Sequence, residues 1–88
     1  KIMKSIFKAL YNNQEIRVEN SWFGGEKLFV NNELQDETVN YYTPARLTGH
    51  IIENGNKLPI KANLYSSGIG VKCSLFIDDK KIKTHKVK

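Results

Sequence analysis

The 88 residues carry 14 lysines and arginines against nine aspartates and glutamates, a net charge of +5, with one cysteine and two histidines. A chain this short builds one domain around one modest core, which leaves little room for a deep catalytic cleft. No apolar run approaches the roughly 20 residues of a membrane-spanning helix, and a single cysteine excludes an internal disulfide framework.

Lys1 stands where an unprocessed gene product has methionine, so the single domain over residues 1–88 is expected to be a fragment of a longer protein. The sequence has no secretory signal pattern. The lone cysteine favours a reducing compartment, so the cytoplasm or the cytoplasmic side of a membrane is the expected location.

A two-residue alternation of apolar and polar side chains runs along the chain. Successive Cβ atoms on a strand point to opposite faces, so this period marks half-buried β-strands. Residues 2–11 place Met3, Phe7 and Tyr11 on one parity and Ile6 and Leu10 on the other. Their β-branched and aromatic content favours a strand over a helix. Asn12-Asn13 reads as a turn, because asparagine tolerates positive φ. Residues 15–19 then alternate, with Ile16 and Val18 inward and the charged residues outward.

Trp22-Phe23-Gly24-Gly25 interrupts the pattern, and the glycines suit a turn or bulge. A third strand follows over 27–30, then a second turn at Asn31-Asn32. The polar stretch 33–38 reads as an edge strand whose charges deter edge-to-edge pairing. Residues 39–44 fit a strand or a loop. Strand 46–52 leads into Asn54-Gly55, a strong hairpin dipeptide. Strand 57–65 turns Leu58, Ile60, Ala62 and Leu64 inward, and Pro59 suggests an edge position or a strand beginning. Residues 69–77 are the clearest core strand, with Ile69, Val71, Cys73, Leu75 and Ile77 on one face. Asp78-Asp79 is a turn, and 82–87 closes the set.

About eight short strands joined by turn signals predict an all-β domain, a small antiparallel β-sandwich. A faint internal echo links Leu28-Phe29-Val30-Asn31-Asn32 with Leu75-Phe76-Ile77-Asp78-Asp79: in each, a core strand runs into a two-residue turn.

The stretch Leu64-Tyr65-Ser66-Ser67-Gly68-Ile69-Gly70-Val71-Lys72-Cys73-Ser74-Leu75-Phe76-Ile77-Asp78-Asp79-Lys80-Lys81-Ile82 resembles the Fas apoptotic inhibitory molecule family, and Trp22 to Val30 is a looser match. In that family a Gly-aromatic loop enters an alternating strand that ends in a polar hairpin. Asp79 stands where the family's hairpin has glycine. The resemblance covers about a third of the chain. It implies an antiparallel β-sandwich without an active site, acting through protein contacts.

The residues offer little catalytic chemistry. Gly24-Gly25-Glu26-Lys27 is followed by Leu28 rather than Ser or Thr and by a strand, not a helix, so it is not a phosphate-binding loop. His50, His85 and Cys73 lack the short spacing of a zinc site. Cys73 is in phase with Val71 and Leu75, so it reads as a small buried hydrophobe with a raised thiol pKa. The acidic clusters sit in turns or on a polar edge. Neither a cofactor, a metal site nor a small-molecule substrate is expected.

Two surface features remain. Lys80, Lys81, Lys83, Lys86 and Lys88 lie in a C-terminal segment without an acid, while the other 79 residues hold nine basic and nine acidic groups. Such a stripe suits a solvated edge strand, an anionic membrane surface or a nucleic acid. Trp22, Phe23 and Phe76 are the candidate interface aromatics, Phe76 because it falls on the polar parity of the best strand. The expected function is a non-enzymatic interaction or structural module binding another protein, with a small basic nucleic-acid-binding β-barrel as the alternative.

Overall fold

A computed structural model describes residues 4–21, 25–38, 45–68 and 70–87. Among these described residues nine strands follow one another: β1 (Lys4–Tyr11), β2 (Gln14–Ser21), β3 (Gly25–Val30), β4 (Glu33–Thr38), β5 (Ala45–Glu53), β6 (Asn56–Ser67), β7 (Gly70–Ile77), β8 (Lys80–Ile82) and β9 (His85–Lys86). They form two antiparallel sheets, β4-β3-β2-β1-β9 and β5-β6-β7-β8. Each sheet is built from a four-stranded meander in chain order. The expected antiparallel sandwich is thus the observed fold. Among the described residues no helix is long and apolar enough to cross a membrane. Trp22, Phe23, Gly24, Ile69, Lys88 and the ambiguous stretch 39–44 lie outside the described residues.

The turns set the register. Asn12 and Asn13 have φ of 48° and 65°, Asn31 and Asn32 50° and 69°, Asn54 and Gly55 52° and 77°, Asp78 and Asp79 53° and 63°. Two successive residues at positive φ give the type I′ turn, whose twist matches that of the flanking strands. Asn and Asp reach this region at modest cost, so three of these hairpins close without glycine.

Register then fixes the faces. Phe7, Ala9, Ile16, Val18, Leu28 and Val30 point inward from one sheet; Ala45, Leu47, Ile51, Ile60, Ala62, Leu64, Leu75 and Ile77 point inward from the other. Leu28 and Leu75, the matched leucines of the internal echo, both lie in this core. On β1 the inward parity is that of Phe7 and Tyr11, and Leu10 stands 70% exposed on the outer face.

Two expectations are corrected. Pro59 belongs to β6, an interior strand, not an edge. Its nitrogen points toward β7 where that strand has already turned: Asp78 N–H donates to Pro59 O at 2.9 Å, and the missing return bond falls in the turn. The closing strand over 82–87 is two strands in different sheets. Had β8 continued along β7, its register would have set Thr84 against Cys73 and Lys86 against Val71 on the core face. The chain instead crosses to β1, where Lys86 pairs with Phe7 and Val87 N–H donates to Ile6 O.

Candidate functional site

The two outer faces of the sandwich differ in charge balance. On the face of β1, β2 and β3, Lys4 pairs with Glu19 at 3.0 Å, Lys8 with Glu15 at 3.7 Å, and Arg17 with Glu15 and Glu19 at 3.5 and 2.9 Å. The Arg17 guanidinium also lies 4.3 Å from the centre of the Phe29 ring, its cross-strand neighbour. Burial pushes the Glu19 carboxyl up, but hydrogen bonding and attraction to Lys4 and Arg17 outweigh it and hold the group below its ordinary value.

The outer face of β5–β8 carries Arg46, Lys57, Lys61, Lys72 and Lys81, which alternate with the inward residues of their strands. Among the described residues, the ion pair on this face is Lys61 with Asp79, at 3.4 Å between two exposed side chains. Such a pair contributes little. Phe76 is half-buried at the centre: Lys61 is its cross-strand partner on one side and Lys81 on the other. Arg46, Lys61, Asn63, Phe76 and Asp79 line an open groove of about 280 Å³. Tyr65, 37% exposed, stands beside Lys72. Four residues along the strands and one strand across separate Tyr65 from Phe76, about 14 Å.

The fold therefore unites two features that the sequence keeps apart, Phe76 and Lys81. It does not assemble the C-terminal lysines into one stripe. Lys80 and Lys81 belong to β8, Lys83 lies in the crossover, and Lys86 is in β9 on the other sheet, its ammonium 6.0 Å from the centre of the Phe7 ring. Lys88, Trp22 and Phe23 fall outside the described residues. The cations at 46, 57, 61 and 72 went unremarked in the sequence because single lysines on alternating strands look like ordinary solvated positions. One signal was available: residues 1–44 hold five basic and six acidic groups, whereas residues 45–88 hold nine and three.

The remaining candidate groups are dispersed. His50, Cys73 and His85 stand on β5, β7 and β9, and the described residues include no group of three or more potential metal ligands. Burial pushes the Cys73 thiol up to about 12, so at neutral pH it stays protonated and unreactive. Glu26 is 3% exposed, and its Oε1 has no hydrogen-bond partner among the described residues. Burial raises its pKa.

The two lateral seams between the sheets also differ. Beside β4, a bulge opposite Leu28 and Phe29 inserts Gln35, which turns toward β5. Its side chain accepts from His50 N–H at 2.7 Å and donates to His50 O at 2.9 Å. Asp36 accepts from Thr48 N–H at 2.8 Å, and Gln14 donates to Ile52 O at 3.0 Å. Gly49 makes room for this contact: a Cβ there would collide with Gln35 Oε1 and Leu28 Cδ2, and Gln35 would have to shift from His50. Three side chains thus take the place of a neighbouring strand along β5. At the opposite seam, Phe7, Tyr65, Gly70, Val71, Lys72, Cys73, Thr84 and Lys86 line a groove of about 380 Å³.

Comparison with protein-family models, with curated proteins and with solved structures finds no match to this chain.

Proposed function

We propose that this domain is a non-catalytic interaction module whose working surface is the outer face of β5–β8, and that its partner is a protein presenting an acidic patch. The observation that carries this reading is the set of cations on the Phe76 face, which among the described residues meets one weak acidic partner, whereas on the opposite face Lys4, Lys8 and Arg17 are each paired with Glu15 or Glu19. A half-buried ring encircled by charge has the make-up of an interface centre with a polar rim. Complementary charge would speed encounter and set orientation. The resemblance to the Fas apoptotic inhibitory molecule family, which falls on β6–β8, agrees with a β-sandwich acting through protein contacts.

A second reading, a single-stranded nucleic acid, is favoured by the presence of two aromatic side chains, Tyr65 and Phe76, on the same face as these cations. It ranks lower because a stacked base needs an open ring face and Phe76 is half-buried.

Titration with polyglutamate and, separately, with oligothymidylate, followed by amide chemical shifts, tests both. The protein reading expects polyglutamate to shift residues around Phe76, with affinity falling at least tenfold (about 1.4 kcal/mol or more) in the double variant Lys61→Glu and Lys81→Glu. Oligothymidylate binding that weakens on both Tyr65→Ala and Phe76→Ala would establish the second reading instead. If neither probe perturbs this face, both readings fail.

A further inference from the structure

The seam between β7 and β9 is an unfilled strand position. The hairpin closures set which backbone groups face it. Ser67 pairs with Gly70 where β6 gives way to β7, and Ile77 pairs with Lys80 across the Asp78-Asp79 turn. A closing pair of this kind exchanges its hydrogen bonds directly. Gly70, Lys72, Ser74 and Phe76 therefore direct N–H and C=O toward β6, and Val71, Cys73, Leu75 and Ile77 direct theirs toward the β8 side. Asp78 N–H bonding to Pro59 O fits the same phase. β8 covers Leu75 to Ile77 and then leaves. Among the described residues, Val71 and Cys73 have no backbone partner on that edge.

The chain leaves this track after Ile82; continued along β7, it would have set Thr84 and Lys86 on the core-facing parity. The lining that remains is specific. Val71 and Cys73 pack against the core, Phe7 is buried at the floor, and Lys72 and Lys86 stand at the rim without an acid among the lining residues. At the other seam Gln35 already satisfies His50 N–H and O, Asp36 the Thr48 N–H and Gln14 the Ile52 O.

We propose that the β7 edge receives an extended acidic segment of a partner protein as an added strand, paired to Val71 and Cys73. The track prescribes its pattern. Residues opposite Val71 and Cys73 are apolar and enter the groove. The residue between them, opposite Lys72, is Asp or Glu, as cross-strand charge pairing prefers. This edge shares Lys72 with the outer face but not Phe76, Lys61 or Lys81, and the proposal does not depend on how those residues are used.

Amide hydrogen exchange tests it directly, because Val71 and Cys73 N–H have no backbone partner among the described residues of the domain and would be bonded in the complex. The probe is a capped octapeptide of alternating valine and glutamate, with alternating valine and lysine as control. At a probe concentration about 100 times the dissociation constant, exchange at these two amides should slow on the order of 100-fold. The valine–lysine peptide should give no protection. Val71→Pro removes one donor that the fold itself does not use and should abolish the protection. Lys72→Glu, which leaves the backbone intact, should weaken binding at least fivefold.

Several outcomes overturn the proposal: no protection at Val71 and Cys73, equal protection by the lysine peptide, or protection that survives Val71→Pro in a folded variant. So does protection without peptide that rises with protein concentration, which would make a second copy of this chain the occupant. Shifts confined to the Phe76 face would support the reading of that face while removing this one.

Discussion

Phe29 and Phe76 occupy matched places in the two meanders, each outward-facing, one residue after a buried leucine and one before the last residue ahead of a type I′ turn. Around Phe29 the sheet supplies Arg17 over the ring and Glu15 and Glu19 beside Arg17. Around Phe76 it supplies Lys61 and Lys81. The same backbone device has thus been finished in two ways. One face pairs Lys4, Lys8 and Arg17 with its own glutamates, and the other, among the described residues, pairs Lys61 alone.

The sharpest test of this contrast concerns what the faces share. Leu28→Ala and Leu75→Ala should each cost about 2–5 kcal/mol, because both leucines are fully buried in one common core. Urea unfolding followed by Trp22 fluorescence and by far-ultraviolet circular dichroism should show coincident transitions in both variants. Separate transitions would mean that the two meanders are independent units and that their faces have no common support.

Next in size is the phenylalanine pair itself. Phe29→Ala should destabilise more than Phe76→Ala, by about 1 kcal/mol, since the first also loses the Arg17 ring contact. Phe76→Ala should instead weaken binding of the acidic probe. The reverse order in denaturant midpoints would remove the distinction between a completed face and an available one.

Glu26 bears on the completed sheet from within. Its carboxyl is raised in the folded chain and ordinary in the unfolded one, so the unfolded state ionises first as pH rises. Stability is then full below the ordinary carboxylate range and falls as pH climbs through the window up to the raised value. Glu26→Gln should stabilise the domain at pH 7 by about 1 kcal/mol, the scale of an unsatisfied buried polar atom, and should lose that advantage in acid. Glu19 has the opposite sign: its lowered value adds stability above the ordinary range that is lost on acidification. A Glu26→Gln advantage that persisted unchanged at pH 3 would show that ionisation is not the cause.

The smallest effects should come from single charge reversals. Lys8→Glu breaks the pair with Glu15 and should cost about 0.2–1 kcal/mol at low salt. Lys72→Glu relieves repulsion among like charges and should be neutral or stabilising by a few tenths of a kcal/mol. Thermal unfolding at two ionic strengths measures both, and salt should shrink the difference between them.

Much of the architecture was legible because the turns are chemically explicit. Asn12-Asn13, Asn31-Asn32, Asn54-Gly55 and Asp78-Asp79 fix four hairpins, and alternation then assigns Ile16, Val18, Leu58, Ile60, Ala62 and Leu64 to the core. The candidate site was legible only in part. Phe76 stood out by its parity, but its lysine neighbours are distant in sequence and are set by register across β6, β7 and β8. Gln35 was invisible because a bulge moves it to the inner side against simple alternation. The split of the C-terminal segment was invisible because the β-period continues through Lys83 and Thr84 while the sheet partner changes.

Lys86 pairs with Phe7, 79 positions earlier in the chain, whereas every other ladder among the described residues joins strands that are consecutive in sequence. Each meander can therefore assemble from neighbouring hairpins, at little cost in chain closure. Closing a loop of this length in an open chain would cost about 4 kcal/mol, more than a two-residue strand can recover. β9 should consequently dock late, after the core has brought the sheets together, and its removal should speed unfolding while leaving the refolding rate almost unchanged.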